Sequence, residues 1–160
     1  MFVRTATARD VAAIRTVLDA SFHAAHDALL GPEQVAALAA ARNAPELIAG
    51  EIAQPSGEFI VADDGRRIVG VAFASATGDG EAMTLHRLYV HPEHLGRGIG
   101  GLLMDEMLNA FPDARRCGLE VAAGNARAVS FYRGYGFEPV GTVPGDPAHV
   151  RMERVLGEDG

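Results

Sequence analysis

The chain has no lysine, no tryptophan and a single cysteine, Cys117, in 160 residues. Without lysine it has neither a P-loop lysine nor a Schiff-base lysine. One cysteine permits no internal disulfide, and a reduced, cytoplasmic setting is the simplest expectation. No apolar run approaches the roughly 20 residues of a membrane span. The alanine-rich stretch from Val35 to Ala41 is too short for one and is expected to form a packing face or a flexible helix. The opening MFVRTATARD carries no apolar h-region, so a secretory signal is not expected. A basic surplus is also missing. The formal net charge is −7, which argues against a general nucleic-acid binder. The hydrophobic fraction, 48%, is that of a folded globular protein and excludes disorder as the main state. Residues 1–160 suit one compact domain.

Periodicity and punctuation divide the chain. Residues 2–5 suit an edge strand. Thr7 and Asp10 are spaced almost as a capping box, and Val11, Ile14, Val17, Leu18 and Phe22 follow at helical spacing. Gly31-Pro32 breaks that helix, and Pro32 opens a second through Ala41. Pro45 opens a third helical stretch through Ala53. The pattern then turns to strands over Glu58–Ala62, Arg67–Ala76 and Met83–Val90. Turns at Asp64-Gly65 and Gly78-Asp79-Gly80 make them an antiparallel meander. A glycine-rich segment and the helical LLMDEMLNAF follow, stopped by Phe111-Pro112-Asp113. Cys117–Ala122 is a strand, Asn125–Tyr135 a helix ended by Gly136, and Phe137–Val143 and His149–Leu156 are closing strands. The last four residues, Gly157 to Gly160, are expected to fray. The fold class is α/β (α+β), with a mixed, mostly antiparallel sheet of about six to seven strands flanked by about four helices.

The segment LHRLYVHPEHLGRGIGGLLMDEML carries the chemistry. A strand ends at Val90, a helix starts near Gly98, and Gly96, Gly98, Gly100 and Gly101 lie at the junction. Glycines let backbone amides approach a ligand, and the first helical turn offers unpaired N–H donors at the positive end of the dipole. That combination suits a pyrophosphate, and Arg97 adds a charged donor. The plainer reading is a flexible connection with close helix–strand contact. A Walker A loop is excluded by the missing lysine. A dinucleotide fingerprint is disfavoured because the loop follows a meander at mid-chain.

This segment resembles the acyl-CoA-binding motif of the GNAT superfamily of N-acyltransferases, Gln/Arg-x-x-Gly-x-Gly/Ala, over Leu95, Gly96, Arg97, Gly98, Ile99 and Gly100. Leu95 departs from the pattern, which costs one polar contact and leaves the backbone amides. A second stretch, LEVAAGNARAVSFYRGYGFEPVG, is similar to the family's Asn-x-x-Ala-x-x-Phe-Tyr-x-x-x-Gly-Phe segment through Asn125, Ala128, Phe131, Tyr132, Gly136 and Phe137. The resemblance covers nearly the whole chain and is weakest over residues 20–57. It implies direct transfer of an acyl group, acetyl in the first instance, from CoA to a primary amine of a small molecule or a peptide N-terminus.

The resemblance also implies roles. The pantetheine would pair with backbone groups of Leu88 and Val90 as an added strand does, and the Leu88 N–H is the family's usual oxyanion donor. The attacking amine must be neutral, so a general base helps. Glu120 is the first choice, in a Leu-Glu-Val position that some N-terminal acetyltransferases use. His86 is the second, on the face of Thr84, Leu88 and Val90. Thr84 stands where some members carry Glu and cannot act as a base, and Glu81 is a weaker option. Tyr132 matches the acid that protonates the leaving thiolate. Asn125 is expected to cap its helix and meet the pantetheine, and Ala128 lies in the same CoA-binding stretch. Arg133 is divided between nucleotide phosphates and a solvated face. Phe131 and Phe137 are expected in the core. Gly136 is expected to cap the helix C-terminus, and Cys117 to be a small buried residue.

His23, His26 and Asp27 are expected at the acceptor mouth or merely on the surface. Two histidines without a third ligand give no reason to expect a metal. The acidic balance suits a cationic amine as acceptor through steering. Expected partners are therefore an acyl-CoA and an amine, with no nucleic acid and no membrane. Many members of the superfamily dimerise, and a homodimer stays open. The competing function is a catalytically silent module of the same fold that binds acyl-CoA or a partner. A nucleotide-binding domain of another class is the third reading.

Overall fold

A computed structural model describes residues 1–156, so the expected fraying of residues 157–160 lies outside the described residues. Seven strands form one mixed sheet in the order β1-β2-β3-β4-β5-β7-β6. The strands are β1 (Phe2–Thr5), β2 (Gly57–Asp63), β3 (Ile68–Thr77), β4 (Ala82–Val90), β5 (Arg116–Ala122), β6 (Glu138–Val143) and β7 (Asp146–Val155). Five α-helices accompany them: α1 (Val11–Leu30), α2 (Pro32–Arg42), α3 (Pro45–Ala53), α4 (Ile99–Asn109) and α5 (Ala126–Gly134). β4 and β5 run parallel, a pairing that the intervening helix α4 makes possible. β1 with β2, β5 with β7, and β6 with β7 run antiparallel. The sheet is thus mixed and mostly antiparallel, as the sequence predicts.

The chain forms two compact units, Met1–Ala74 with Arg87–Ala110, and Ser75–His86 with Phe111 onward. Strands β3 and β4 divide between them. In the first unit, Ile14, Val17 and Leu18 of α1 and Ile48 of α3 join Phe59, Val61, Val71 and Phe73 in a buried cluster. The Phe59 and Phe73 rings stack at 5.5 Å. α4 buries Ile99, Leu103, Met104 and Met107. It comes close to β3 because Gly70 has no side chain: a Cβ there would stand 3.0 Å from Ile99 Cγ2 and 3.0 Å from Leu103 Cδ1. Close contact between helix and strand at this point fixes where the N-terminus of α4 begins.

The spacing of Thr7 and Asp10 does what the sequence predicts, through one turn of 3₁₀ helix before α1. Asp10 accepts from the Thr7 N–H at 2.8 Å and from both terminal nitrogens of Arg4, at 2.9 and 3.0 Å. The Arg4 hydrogen bonds hold the Asp10 carboxyl below its ordinary range against the opposing effect of burial. Its folded value is depressed, so the stabilisation is present above the ordinary carboxyl range and is lost as pH falls through the depressed value. Asp10→Asn is expected to lower stability by about 2 kcal/mol at neutral pH and by less in acid. Thermal unfolding at the two pH values checks both.

In the second unit, β5 buries Cys117, Leu119 and Val121 on one face. α5 ends as the sequence predicts. Gly136 has φ +88°, its N–H donates to the Arg133 carbonyl, and the Phe137 N–H reaches the Tyr132 carbonyl, both at 3.0 Å. That pair of bonds is a Schellman motif, and only glycine adopts its left-handed position without strain. β7 begins at Asp146, earlier than the predicted His149. The Pro144-Gly145 turn is tight, with Gly145 at φ +78°, and it lets Asp146 pair with Val143 at once.

Candidate active site

In the first unit the loop after β4 forms one 3₁₀ turn, Pro92–His94, and then opens. Gly96 and Gly98 have φ +80° and +81°, and nothing stands within 4 Å of where a Cβ would lie on either. These two positions need glycine for conformation alone. Gly98 is the left-handed N-cap of α4, and the first helical bond runs from the Leu102 N–H to the Gly98 carbonyl at 3.1 Å. The amides of Ile99 and Gly100 precede that bond, at the positive end of an eleven-residue helix. Ile99 itself is buried, Gly100 and Gly101 are half-buried, and Leu95, Gly96, Arg97 and Gly98 are exposed. An open backbone, a helix N-terminus and an exposed guanidinium are together what a pyrophosphate needs. The donor set fits an acyl-CoA phosphate group.

Leu88 and Val90, at the end of β4, are half-buried. The Val90 carbonyl accepts from the Ser21 hydroxyl of α1 at 3.0 Å. Ser21 was not predicted: nothing local marks a serine in a helix as a partner for a strand 69 residues away. Arg87, just before Leu88, points the other way. Its Nε meets Glu51 Oε1 at 2.8 Å and its two terminal nitrogens donate to Asn43 Oδ1 and to the Arg42 carbonyl, each at 3.0 Å. Asn43, 3% exposed, also donates to Asp19 at 2.9 Å. This network fixes the strand that carries Leu88. His23 Nδ1 lies 2.8 Å from Asp27 Oδ1, and the His26 ring packs on Phe22 with centroids 4.5 Å apart. The two histidines are thus engaged with different partners.

The second unit holds the remaining expected residues. Tyr132 on α5 is 9% exposed. Its ring stands edge-on to Phe131 and Phe137, with centroids at 5.4 and 5.8 Å. Phe137 is fully buried, as predicted, whereas Phe131 is only half-buried. Asn125 caps α5 as expected, its side chain accepting from the Ala128 N–H at 3.2 Å. Ala128 is half-buried and Arg133 exposed. Cys117 is fully buried, and burial pushes its thiol up to about 12, so it stays protonated and inert.

Glu120 is exposed, on the face of β5 opposite Cys117, Leu119 and Val121. Its register partner on β7 is Arg151. His86 is exposed on β4, and its Nε2 lies 2.7 Å from Oγ of Ser75 on β3. The parallel β4–β5 pairs run from Ala82↔Arg116 to Thr84↔Gly118. His86 and Glu120 each stand two residues beyond that last pair, so alternation gives both the face of Thr84 and Gly118. By alternation the two candidate bases thus lie on the exposed face of their strands, past the end of the paired stretch.

A family model for an acetyltransferase (GNAT) domain matches residues 55–139, more than half of the chain. An N-alpha-acetyltransferase, RimI of Mycobacterium tuberculosis, is 34% identical over 111 residues, covering 68% of this chain and 66% of that protein. An L-methionine sulfoximine/L-methionine sulfone acetyltransferase of Salmonella typhimurium is 36% identical over 64 residues, covering 37% of this chain and 36% of that one. The matched part is less than two thirds of either relative. Among solved structures, the PaiA N-acetyltransferase of Thermoplasma acidophilum in complex with coenzyme A superposes with a TM-score of 0.89. It shares 21% identity over 97% of this chain and 98% of that one, a likeness of fold.

Proposed function

The chain belongs to the GNAT acetyltransferase family, and on that premise we propose that it transfers an acetyl group from acetyl-CoA directly to a primary amine. The observation that carries the reading is the left-handed Gly98 at the head of α4, with exposed Arg97 beside it, inside the matched stretch. In this reading Gly96 to Gly101 and Arg97 take the phosphates, and Leu88 and Val90 pair with the pantetheine. The Leu88 N–H stabilises the oxyanion that forms on the thioester carbonyl. The amine nitrogen bonds to the carbonyl carbon, its proton leaves to a base, the C–S bond breaks, and Tyr132 protonates the thiolate. Glu120 is the first base by its place in Leu119-Glu120-Val121. His86 is the second reading, favoured by its 2.7 Å contact with Ser75. The acceptor is a peptide N-terminus or a small amine, and the likeness to RimI supports the former. No helix among the described residues is long and apolar enough to cross a membrane.

Calorimetric titration with CoA and with ATP tests the donor assignment. The reading requires CoA to bind and ATP to bind more weakly, and preference for ATP would overturn it. Gly98→Ala places a Cβ at φ +81°. The backbone strain there is about 1–2 kcal/mol, and CoA affinity is expected to fall roughly tenfold. Calorimetry on that variant measures the loss.

A further inference from the structure

The stretch that carries Leu88 and Val90 is held at both ends by the same helix. At its start, Arg87 donates to Asn43 Oδ1, and Asn43 donates in turn to Asp19 of α1. At its end, the Val90 carbonyl accepts from the hydroxyl of Ser21, two residues further along α1, at 3.0 Å. The direction of that carbonyl follows from the ladder. The His91 N–H donates to the Val69 carbonyl of β3 at 2.8 Å, so His91 turns its polar groups toward β3. Successive residues of a strand turn theirs to opposite edges, so the Val90 N–H and C=O point away from β3. On that edge the β4–β5 pairs end at Thr84. The Val90 carbonyl thus stands where an added strand would pair, and the hydroxyl that meets it comes from a helix. A carbonyl oxygen has two lone pairs, and Ser21 takes one.

We propose that Ser21 is a positioning residue for the acyl donor: its hydroxyl aims the Val90 carbonyl along the open edge of β4, where the second lone pair accepts from the pantetheine amide. This rests on the acyl-transfer reading above and adds a residue of α1 to it. Ser21 acts through Val90, and no bond made or broken in the reaction involves it. The contact also carries information the other way. Ser21 closes the buried stripe of Ile14, Val17 and Leu18, and the positions that continue the stripe, Ala24, Ala25 and Ala28, are exposed. Ser21 is thus where the last turns of α1 are tied to β4. Linkage makes the coupling reciprocal: if the Ser21 bond favours the donor, the donor favours the Ser21 bond by the same factor. Donor binding therefore steadies the end of α1.

Calorimetric titration of the full chain with CoA and with adenosine 3′,5′-bisphosphate separates the two ends of the donor. Ser21→Ala should weaken CoA binding about fivefold, the worth of one hydrogen bond. The bisphosphate has no pantetheine and should bind both proteins alike, which a general loosening of the fold would not allow. Ser21→Thr keeps the hydroxyl and should restore the affinity for CoA. Hydrogen exchange reads the reciprocal effect. CoA should slow exchange over residues 22–30 by about the same fivefold in the wild type, and not in Ser21→Ala. Thermal unfolding shows that the proteins compared are folded. Equal CoA affinity in the wild type and Ser21→Ala, an equal loss for the bisphosphate, or no slowing over residues 22–30 in the wild type would overturn the role of Ser21 and leave the transfer reading standing. A wild type that does not bind CoA would overturn that reading and this inference with it.

Discussion

Replacing Tyr132 with Phe is expected to lower turnover at least a hundredfold, in the range general acids contribute, with acetyl-CoA affinity held within about twofold. The ring is fixed on two sides, by Phe131 and Phe137, and the substitution keeps those contacts. The α5 end is set by backbone bonds to the Tyr132 carbonyl, which the variant also keeps. What disappears is the hydroxyl. A phenol and a thiolate have comparable reference pKa values, about 10 and 8.5, so proton transfer between them is close to balanced. Single-turnover rates with calorimetric Kd values separate the two effects. Turnover equal to the wild type would remove Tyr132 from the chemistry.

Arg87→Leu is expected to cost about 3–5 kcal/mol of folding stability, the range for removing one partner of a buried ion pair. Arg87 and Glu51 side chains are 10% and 15% exposed. The substitution leaves the Glu51 carboxylate and the Asn43 amide oxygen without the donors they now have, at 2.8 and 3.0 Å. For a chain of this size the melting temperature should fall by roughly 10 °C or more. Arg87→Leu combined with Glu51→Leu should cost less than the sum of the two, because no charge is then left unpaired. A loss below about 1 kcal/mol for Arg87→Leu would mean that the network contributes little. Since Leu88 follows Arg87 directly, any folded variant should also show a lower kcat.

Much of this was legible because glycine and proline mark the boundaries. Pro32 and Pro45 open their helices, and Gly136 closes α5 in a left-handed conformation. The glycine loop was legible for the same reason: Gly96 and Gly98 stand where only glycine is unstrained. Those signals are local. Arg87, Glu51 and Asn43 come together from positions 36 and 44 residues apart, and no periodicity reports such a distance. Ser75 lies in an apolar run and reads as a small core residue until the strand pairing brings it to His86. β7 starts three residues before the expected His149, because the left-handed Gly145 closes a tight turn and Asp146 pairs with Val143 at once.

The central claim is that the chain transfers an acyl group and does not merely bind its donor. Release of CoA from acetyl-CoA, measured over a panel of small amines, amino acids and peptide N-termini, tests it most directly. The account predicts release that depends on the acceptor and matches the N-acetylated product in amount. CoA binding with no release on any acceptor would contradict it and leave a binding module of the same fold.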